Sequence, residues 1–388
     1  RLELFHSKIQ NLTGDSELTT NPKSPKQLRE LFFNYLGLKG RGSSTDKENR
    51  ERMYQDSGTS VECKELIRDL DKYLEEYKFY STYVTQKIDP DGRIRCEYKQ
   101  FGVQNAPGRL SSSKVMWGSG MNLQNQPHRA YPLFVCDSGY MFSYFDLKQA
   151  EAKVVAYLWN VQGLIENFEK AETQDGFDVH RGNASRIFQC DYDEIPAQDW
   201  DENLKPTRRY LGKRCVHGLN YRMQATKLAE VCGIPPQQAF EAYASYHRAF
   251  PEIQLAWAET INTVRSERML FTPMGRRLIW MERLDENSFD SVIAFKPQST
   301  IGDKVSSVIY ECHDDDEWPS EARMILNIHD ALIAIHRPED GLLVRSIMKR
   351  HAEAPIMIRG KPVKIFTDLK KSVPGEDGVH RWSTLTDA

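Results

Sequence analysis

Over the N-terminal quarter of the chain, apolar residues recur at helical spacing. Ser24-Pro25 is followed by Leu28, Leu31, Phe32, Tyr35 and Leu36, which predicts an amphipathic helix capped by Ser24, opened by proline and stopped at Gly37. Residues 39–45 read as a flexible basic loop, and Thr45 with Glu48 has the spacing of a capping box opening a further helix. Leu66, Leu70, Tyr73, Tyr77 and Tyr80 then repeat at helical spacing with charged residues between them, predicting a long helix. Ile94, Cys96 and Tyr98 alternate like a strand, and Tyr144-Phe145-Asp146 reads as a strand ending in a carboxylate. From 206 to about 283 the period is almost entirely helical, with Pro235-Pro236 and Pro251 opening new helices. Strand signals return at 324–328 and 332–335, separated by His329-Asp330-Ala331 in the layout of a tight hairpin.

This order describes an α+β chain: a helical arm, a strand region, an inserted helical block, and strands again. Its 388 residues exceed one ordinary domain and predict two or three subdomains. With 40% hydrophobic and 28% charged residues, the composition is that of a folded globular protein rather than a disordered one. No apolar run approaches the roughly 20 residues of a membrane span, so no membrane partner is expected. The opening Arg1-Leu2-Glu3-Leu4 is no signal peptide. Cys63, Cys96, Cys136, Cys190, Cys215, Cys232 and Cys312 lie far apart without a Cys-x-x-Cys pair, which fits a reducing, cytoplasmic location. The first residue is Arg rather than Met, so upstream sequence is expected. A formal charge of -3 does not by itself point to nucleic acid, and any such partner must be met by local basic surface.

Four constellations carry chemistry. In Asp146-Leu-Lys-Gln149-Ala-Glu151, a strand end would hold Asp146 rigidly while Gln149 and Glu151 reach into the same cleft from the first helical turn; the plain alternative is an acidic helix start that complements the helix dipole. In Asn327-Ile-His329-Asp330 the hairpin would present Asp330 between two apolar strands, though a turn aspartate often only satisfies nearby backbone. Together, carboxylates on adjacent strand ends suit a cage for two divalent ions about 3.5–4 Å apart. Arg209, Lys213, His217 and Tyr221 follow one another at four-residue spacing, a cationic half beside an aromatic half that suits a nucleoside triphosphate; a solvated basic face is the alternative. Arg109-Leu-Ser-Ser112 with Asn122-Leu-Gln124-Asn125 offers donors suited to phosphate, sugar and minor-groove contacts. The run 313–317, His-Asp-Asp-Asp-Glu, reads as a solvated charge run rather than a metal cluster.

In this order the constellations resemble those of the family A DNA polymerases, the group of bacterial DNA polymerase I and many phage replicases. Arg109-Leu-Ser-Ser with Asn122-Leu-Gln-Asn resembles the primer-template motif, Asp146-x-x-Gln149-x-Glu151 motif A, Arg209-x-x-x-Lys213 with Tyr221 the fingers helix, and His329-Asp330 motif C. Residues 24–28, Asp178-Val-His180 and Pro297-Gln298-Ser-Thr300 also match family segments, so the likeness covers nearly the whole chain. The resemblance implies a right-hand polymerase: a helical thumb over 1–90, palm over 91–175 and 285–388 built on an antiparallel sheet, and helical fingers over 176–284. It implies that Asp146, Asp330 and the Leu147 backbone carbonyl hold two Mg2+ ions, with Mn2+ as an alternative. Arg209, Lys213, His180 and Arg129 would hold the triphosphate, and Lys213 would also protonate the leaving pyrophosphate. Gln149, His217 and Tyr221 would line the nucleotide site, and Glu151 would pack under the sugar to exclude a 2′-hydroxyl. Arg109, Asn122, Gln124, Gln298 and His329 would touch DNA near the primer end. The implied partners are primer-template DNA and deoxynucleoside triphosphates, with accessory proteins or a separate exonuclease domain beyond them, since no proofreading domain is read in this chain.

Three positions depart from the family pattern. His217 stands where Phe or Tyr is general, Arg222 where Gly is usual, and Ala331 where Glu commonly follows His-Asp. About six extra residues also separate Ser112 from Asn122. These departures point to a divergent, phage-type enzyme. The rival readings are a two-metal nuclease, which has no use for a triphosphate clamp, and a polymerase-derived DNA-binding module that has lost activity.

Overall fold

The computed structural model describes residues 1–85, 88–100, 108–117 and 120–388. It divides into two compact units, Arg1–Ile94 with Trp117–Gly120, and Arg95–Met116 with Met121–Ala388.

The first unit is helical: α1 (Leu2–Thr13), α2 (Pro25–Arg29), α3 (Lys47–Gln55) and α4 (Val61–Tyr83). The Ser24 side chain accepts from the Gln27 amide, satisfying a donor that the first turn leaves free, and the chain continues through a π-helical turn, Glu30–Tyr35, to Gly37 at φ 59°. The cap of α3 is Asp46 rather than Thr45: its carboxylate accepts from the Asn49 amide at 2.8 Å. The loop at 39–45 is pinned rather than free. The Asn49 side chain accepts from the Arg41 amide at 2.7 Å, and the Arg29 guanidinium donates to the Ser43 carbonyl at 2.9 Å. Leu66 and Leu70 of α4 enter a core with Phe5, Ile9, Leu28, Leu31, Phe32 and Met53, while Tyr77 and Tyr80, on the same predicted stripe, stay exposed.

The second unit is built on a five-stranded antiparallel sheet. After the short pair β1 (Glu97–Lys99) and β2 (Ser111–Ser113) come β3 (Met141–Leu147) and the helices α5 (Ala150–Leu158), α6 (Gln162–Thr173), α7 (Val179–Phe188), α8 (Arg208–Leu219), α9 (Ala225–Cys232), α10 (Pro236–Ala249) and α11 (Glu252–Glu267). The helical block ends earlier than its period predicts. Residues 269–279 turn back as a hairpin, β4 (Met269–Phe271) and β5 (Arg277–Ile279), because Thr-Pro-Met-Gly supplies a turn with Gly275 at φ 86°. There follow α12 (Glu286–His313), β6 (Arg323–Ile328), β7 (Ala331–His336), α13 (Gly341–Ala352), the small pair β8 (Ile356–Ile358) and β9 (Lys361–Val363), then β10 (Thr367–Pro374) and β11 (His380–Asp387). The main sheet runs β11-β10-β3-β7-β6, which puts β3 in its centre.

The alternation of β3 explains its role. Phe145 and Leu147 point into a core with Val154, Ile301, Val305, Leu332, Val344 and Ile347 from α5, α12, β7 and α13. Each such burial contributes about 1.5–3 kcal/mol. Asp146, between them, must face the other way. The helices α6 to α11 close over a second core that includes Leu164, Phe168, Leu211, Leu219, Tyr246, Phe250 and Trp257. The strand expected at Ile94 to Tyr98 is reduced to the three residues of β1. The extra residues between Ser112 and Asn122 include 118 and 119, outside the described residues. The acidic run at 313–317 forms ion pairs: Asp315 meets Arg350 at 2.6 Å and His351 at 2.7 Å.

Candidate active site

Two aspartates meet where β3 lies beside β7. Asp146 is the cross-strand partner of Ala331, and the Leu147 amide donates to the Asp330 carbonyl at 3.3 Å, so both carboxylates sit at the same end of neighbouring strands. The connection between β6 and β7 is a two-residue turn, His329-Asp330, made possible by His329 at φ 55°. Burial raises the Asp146 pKa to about 6, with the charges of Asp330 and Asp368 adding and Lys370 opposing. Burial also raises Asp330, with the Arg109 charge opposing it and Glu151 adding to it. The pair is therefore an excess of negative charge that is partly withdrawn from water.

Glu151, on the first turn of α5, is the hub of the next layer. One carboxylate oxygen accepts from Arg109 at 2.8 Å and the other from the Gln298 amide at 3.4 Å, while Arg109 also lies 3.7 Å from Asp330. The Tyr221 hydroxyl is buried beside Glu151 without reaching hydrogen-bond geometry. The Arg109 segment is held by a close approach. A Cβ at Gly302 of α12 would stand 2.7 Å from the Gly108 carbonyl carbon and 2.8 Å from the Arg109 nitrogen, so only glycine lets the helix pass there.

Beneath His329 lies a polar cross-brace. Asn327 donates through its side chain to the His329 carbonyl at 3.1 Å, receives the Gln124 amide at 3.1 Å, and exchanges two 2.9 Å backbone bonds with the Tyr98 hydroxyl. Gln124, expected to contact DNA, is buried and fully engaged: its oxygen accepts from the Ser112 amide and its nitrogen donates to Leu110 and Asn327. Its side chain is tied into this cross-brace. Asn122 is exposed, with its oxygen accepting from the Gln124 amide at 2.9 Å, and Asn125 meets the His329 ring at 3.3 Å.

The cationic stripe lies on α8, but only in part. The helix ends at Leu219, so Tyr221 sits in the turn beyond it rather than on the helix. Arg209 is already paired: it donates to Asp178 at 2.7 Å and to Asp199, and Lys213 stands 3.6 Å from Asp199. Asp178 does double duty, since its other oxygen caps α7 at the His180 amide, 2.8 Å away. Burial pulls the Asp178 pKa upward, but the Arg209 hydrogen bond and charge prevail and hold it below the usual range. The His180 pKa is also lowered, to about 4, by burial and by the Arg209 and Lys213 charges, and its Nδ1 is buried without a hydrogen-bond partner. Gln149, left-handed at φ 48°, likewise keeps a buried, unpartnered oxygen. Together with Lys148, Lys153 and Lys349, the Gln149, His180 and Arg209 side chains line a cleft of about 690 Å³. His217 is exposed and close enough for its charge to act on Asp330. Arg129 is exposed on a 3-10 segment, His128–Leu133, that packs on β11, the sheet edge away from β7.

Sequence reasoning missed Asp199, Asp368 and the bracing role of Asn327 and Tyr98. Asp368 was open to discovery: it stands directly opposite Asp146 on β10, on the same face. Asp199 was not, because it lies in a loop with no periodic signal.

The comparisons with known proteins agree with this architecture. The chain is 28% identical over 353 residues to DNA polymerase I of Chloroflexus aurantiacus, covering 84% of this chain and 35% of that protein. It is 28% identical over 331 residues to the thermostable DNA polymerase I of Thermus aquaticus, covering 81% of this chain and 37% of that protein. It thus spans little more than a third of the relatives it matches. Its fold matches the POL domain of Pol1 from M. smegmatis, solved in complex with DNA primer-template and dNTP, at a TM-score of 0.72 and 21% identity, over 99% of this chain and 66% of that one. The family model described as DNA polymerase family A matches residues 1–364, carrying the paired aspartates, the Glu151 hub and the α8 cations within one match, and the chain belongs to that family.

Proposed function

We propose that this chain is the polymerase module of a template-directed DNA polymerase, adding deoxynucleotides to a primer 3′ end with release of pyrophosphate. In this reading Arg1–Ile94 supplies the thumb, the sheet with α12 and α13 the palm, and α7 to α11 the fingers. The observation that carries it is the convergence, on one unit, of a half-buried carboxylate pair, Asp146 and Asp330, with the α8 cations.

The donor set suits Mg2+, a hard cation that is bound through one or two carboxylates together with substrate phosphates. Among the described residues no three His, Cys, Asp or Glu side chains gather in metal-binding geometry, so Asp146, Asp330 and the Leu147 carbonyl would need phosphate oxygens and water to complete the shell. When bound, such ions activate the attacking hydroxyl and neutralise charge on the leaving group. The remaining work falls to this chain. Arg209 and Lys213 hold the β- and γ-phosphates, and Lys213, exposed beside Asp199, gives a proton to pyrophosphate as it leaves. Neutral His180 and Gln149 offer hydrogen bonds from buried, otherwise unpartnered atoms. Glu151, fixed by Arg109 and Gln298, forms the floor under the sugar. Arg109, Gln298, His329 and Asn122 hold the primer-template end through groove and backbone contacts that read shape rather than sequence.

Asp146→Asn and Asp330→Asn are each expected to abolish primer extension by the purified chain, at least about a thousandfold, while leaving primer-template affinity within severalfold, because phosphate contacts dominate affinity. Extension by either variant at wild-type rate overturns the assignment.

A further inference from the structure

The turn after α8 is fastened in an unusual way. Arg222 adopts φ 63°, a left-handed conformation that costs any residue but glycine. Its side chain nevertheless reaches across to α12, donating to Asp290 at 3.0 Å and to Glu286 at 2.9 Å, and its guanidinium lies 5.3 Å from the Phe289 ring centre. Arg265 of α11 stands 5.5 Å from the same ring. Glu286 and Asp290 are four residues apart, so one face of α12 presents both acceptors to one planar fork. The residue immediately before Arg222 is Tyr221, whose ring meets Trp159 edge-on at 6.3 Å and whose hydroxyl is buried beside Glu151.

We propose that Arg222 is a positioning residue that latches this turn to the first two turns of α12, holding Tyr221 over Glu151 and so setting how readily a nucleotide displaces the tyrosine. This rests on the reading of Glu151 as the floor of the nucleotide sugar site. The physical logic is competition. A ring packed beside Glu151 occupies space that an incoming sugar and base need, and nucleotide binding then requires the ring to leave. A ligand shifts such an equilibrium only by its differential affinity for the two states, so every interaction that favours the ring in place raises the apparent KM. The latch acts through charge on a partly exposed surface: the Arg222 side chain is 22% exposed, while Glu286 and Asp290 are 78% and 64% exposed. Its strength is therefore modest and screened by salt.

Two variants separate the latch from the backbone. Glu286→Gln/Asp290→Asn removes both acceptor charges without touching the turn, and Arg222→Gly removes the fork while relieving the left-handed conformation. In single-nucleotide primer extension, both are expected to lower the nucleotide KM about two- to tenfold with kcat within about twofold, the range set by two exposed ion pairs. The difference from wild type should shrink at about 0.5 M salt, where screening reaches a few ångströms. Arg222→Lys, which keeps the charge but cannot fork to both acceptors, should fall between wild type and Arg222→Gly. An active wild type whose KM is unchanged in both variants overturns the latch alone. A wild-type chain that extends no primer overturns the polymerase reading and the latch with it.

Discussion

The two ends of the candidate site handle charge in opposite ways. At the aspartate end, Asp330 and Glu151 share Arg109, Asp146 feels the charges of Asp330 and Asp368 against Lys370, and burial pushes both aspartates up. At the α8 end the cations are already matched, Arg209 lying between Asp178 and Asp199 with Lys213 beside Asp199. One end leaves a demand for positive charge that only a ligand can meet. The other holds its cations in shape among carboxylates, so in the proposed reading an incoming phosphate would share or displace carboxylates already there. Preorganisation of this kind reduces the ordering cost of binding, while the competing partners weaken the contact itself.

Removing Arg209 breaks that comparison most severely. Arg209→Ala leaves Asp178 without its cationic partner and Asp199 with Lys213 alone, an expected destabilisation of about 1–3 kcal/mol by thermal or urea unfolding, and it should raise the nucleotide KM at least about tenfold. Asp199→Asn sharpens the same point with the opposite sign: loss of the competing charge should lower KM, and a rise as large as that of Arg209→Ala would show that Asp199 organises the clamp more than it competes for it.

At the other end, Glu151→Ala should admit ribonucleotides about tenfold more readily relative to deoxynucleotides, the scale of a discrimination resting on one small group. It also takes from Arg109 the carboxylate that now holds it at 2.8 Å, so primer-end affinity should fall alongside. An unchanged ribo-to-deoxy ratio removes Glu151 from the sugar site.

The smallest expected effect is a pH dependence at His180. Its folded pKa is lowered to about 4 from the usual 6.5 by burial and the neighbouring cations. Between those values the unfolded chain binds the proton and the folded chain does not, so stability is fully present above pH 6.5 and is lost as pH falls toward 4. His180→Gln should flatten that part of the stability curve, measured by circular dichroism melting between pH 7.5 and 4.5. Equal slopes in both proteins would place the imidazole in water.

Legibility in the sequence follows the same division. The aspartate end rests on contiguous motifs at strand boundaries: a period of two fixes that Asp146 faces away from the core, and the hairpin layout put His329 and Asp330 at a turn. The α8 end depends on a loop, since Asp199 carries no periodicity, and on the helix stopping at Leu219, which a four-residue stripe running on to Tyr221 conceals. Gln124 misled for a different reason: a polar residue in a polar segment looks solvent-facing, and only the long-range contact with Asn327 reveals that it is buried. The hairpin at 269–279 was hidden in a helical stretch because its strands are only three residues each.

The close passage of α12 at Gly302 has a consequence for variation in this gene. A glycine codon cannot change its amino acid without adding a Cβ, and here that atom would land 2.7 Å from the Gly108 carbonyl carbon. Asp303, the next residue on α12, is tied to Arg276 at 2.5 Å, and a Cβ at Gly108 would itself meet Arg276 at 2.8 Å. Change at 302 therefore requires the backbone at 108–109 to shift, and no substitution at 108, already glycine, makes room for it. A mutagenic library built on this chain is best held constant at this crossing.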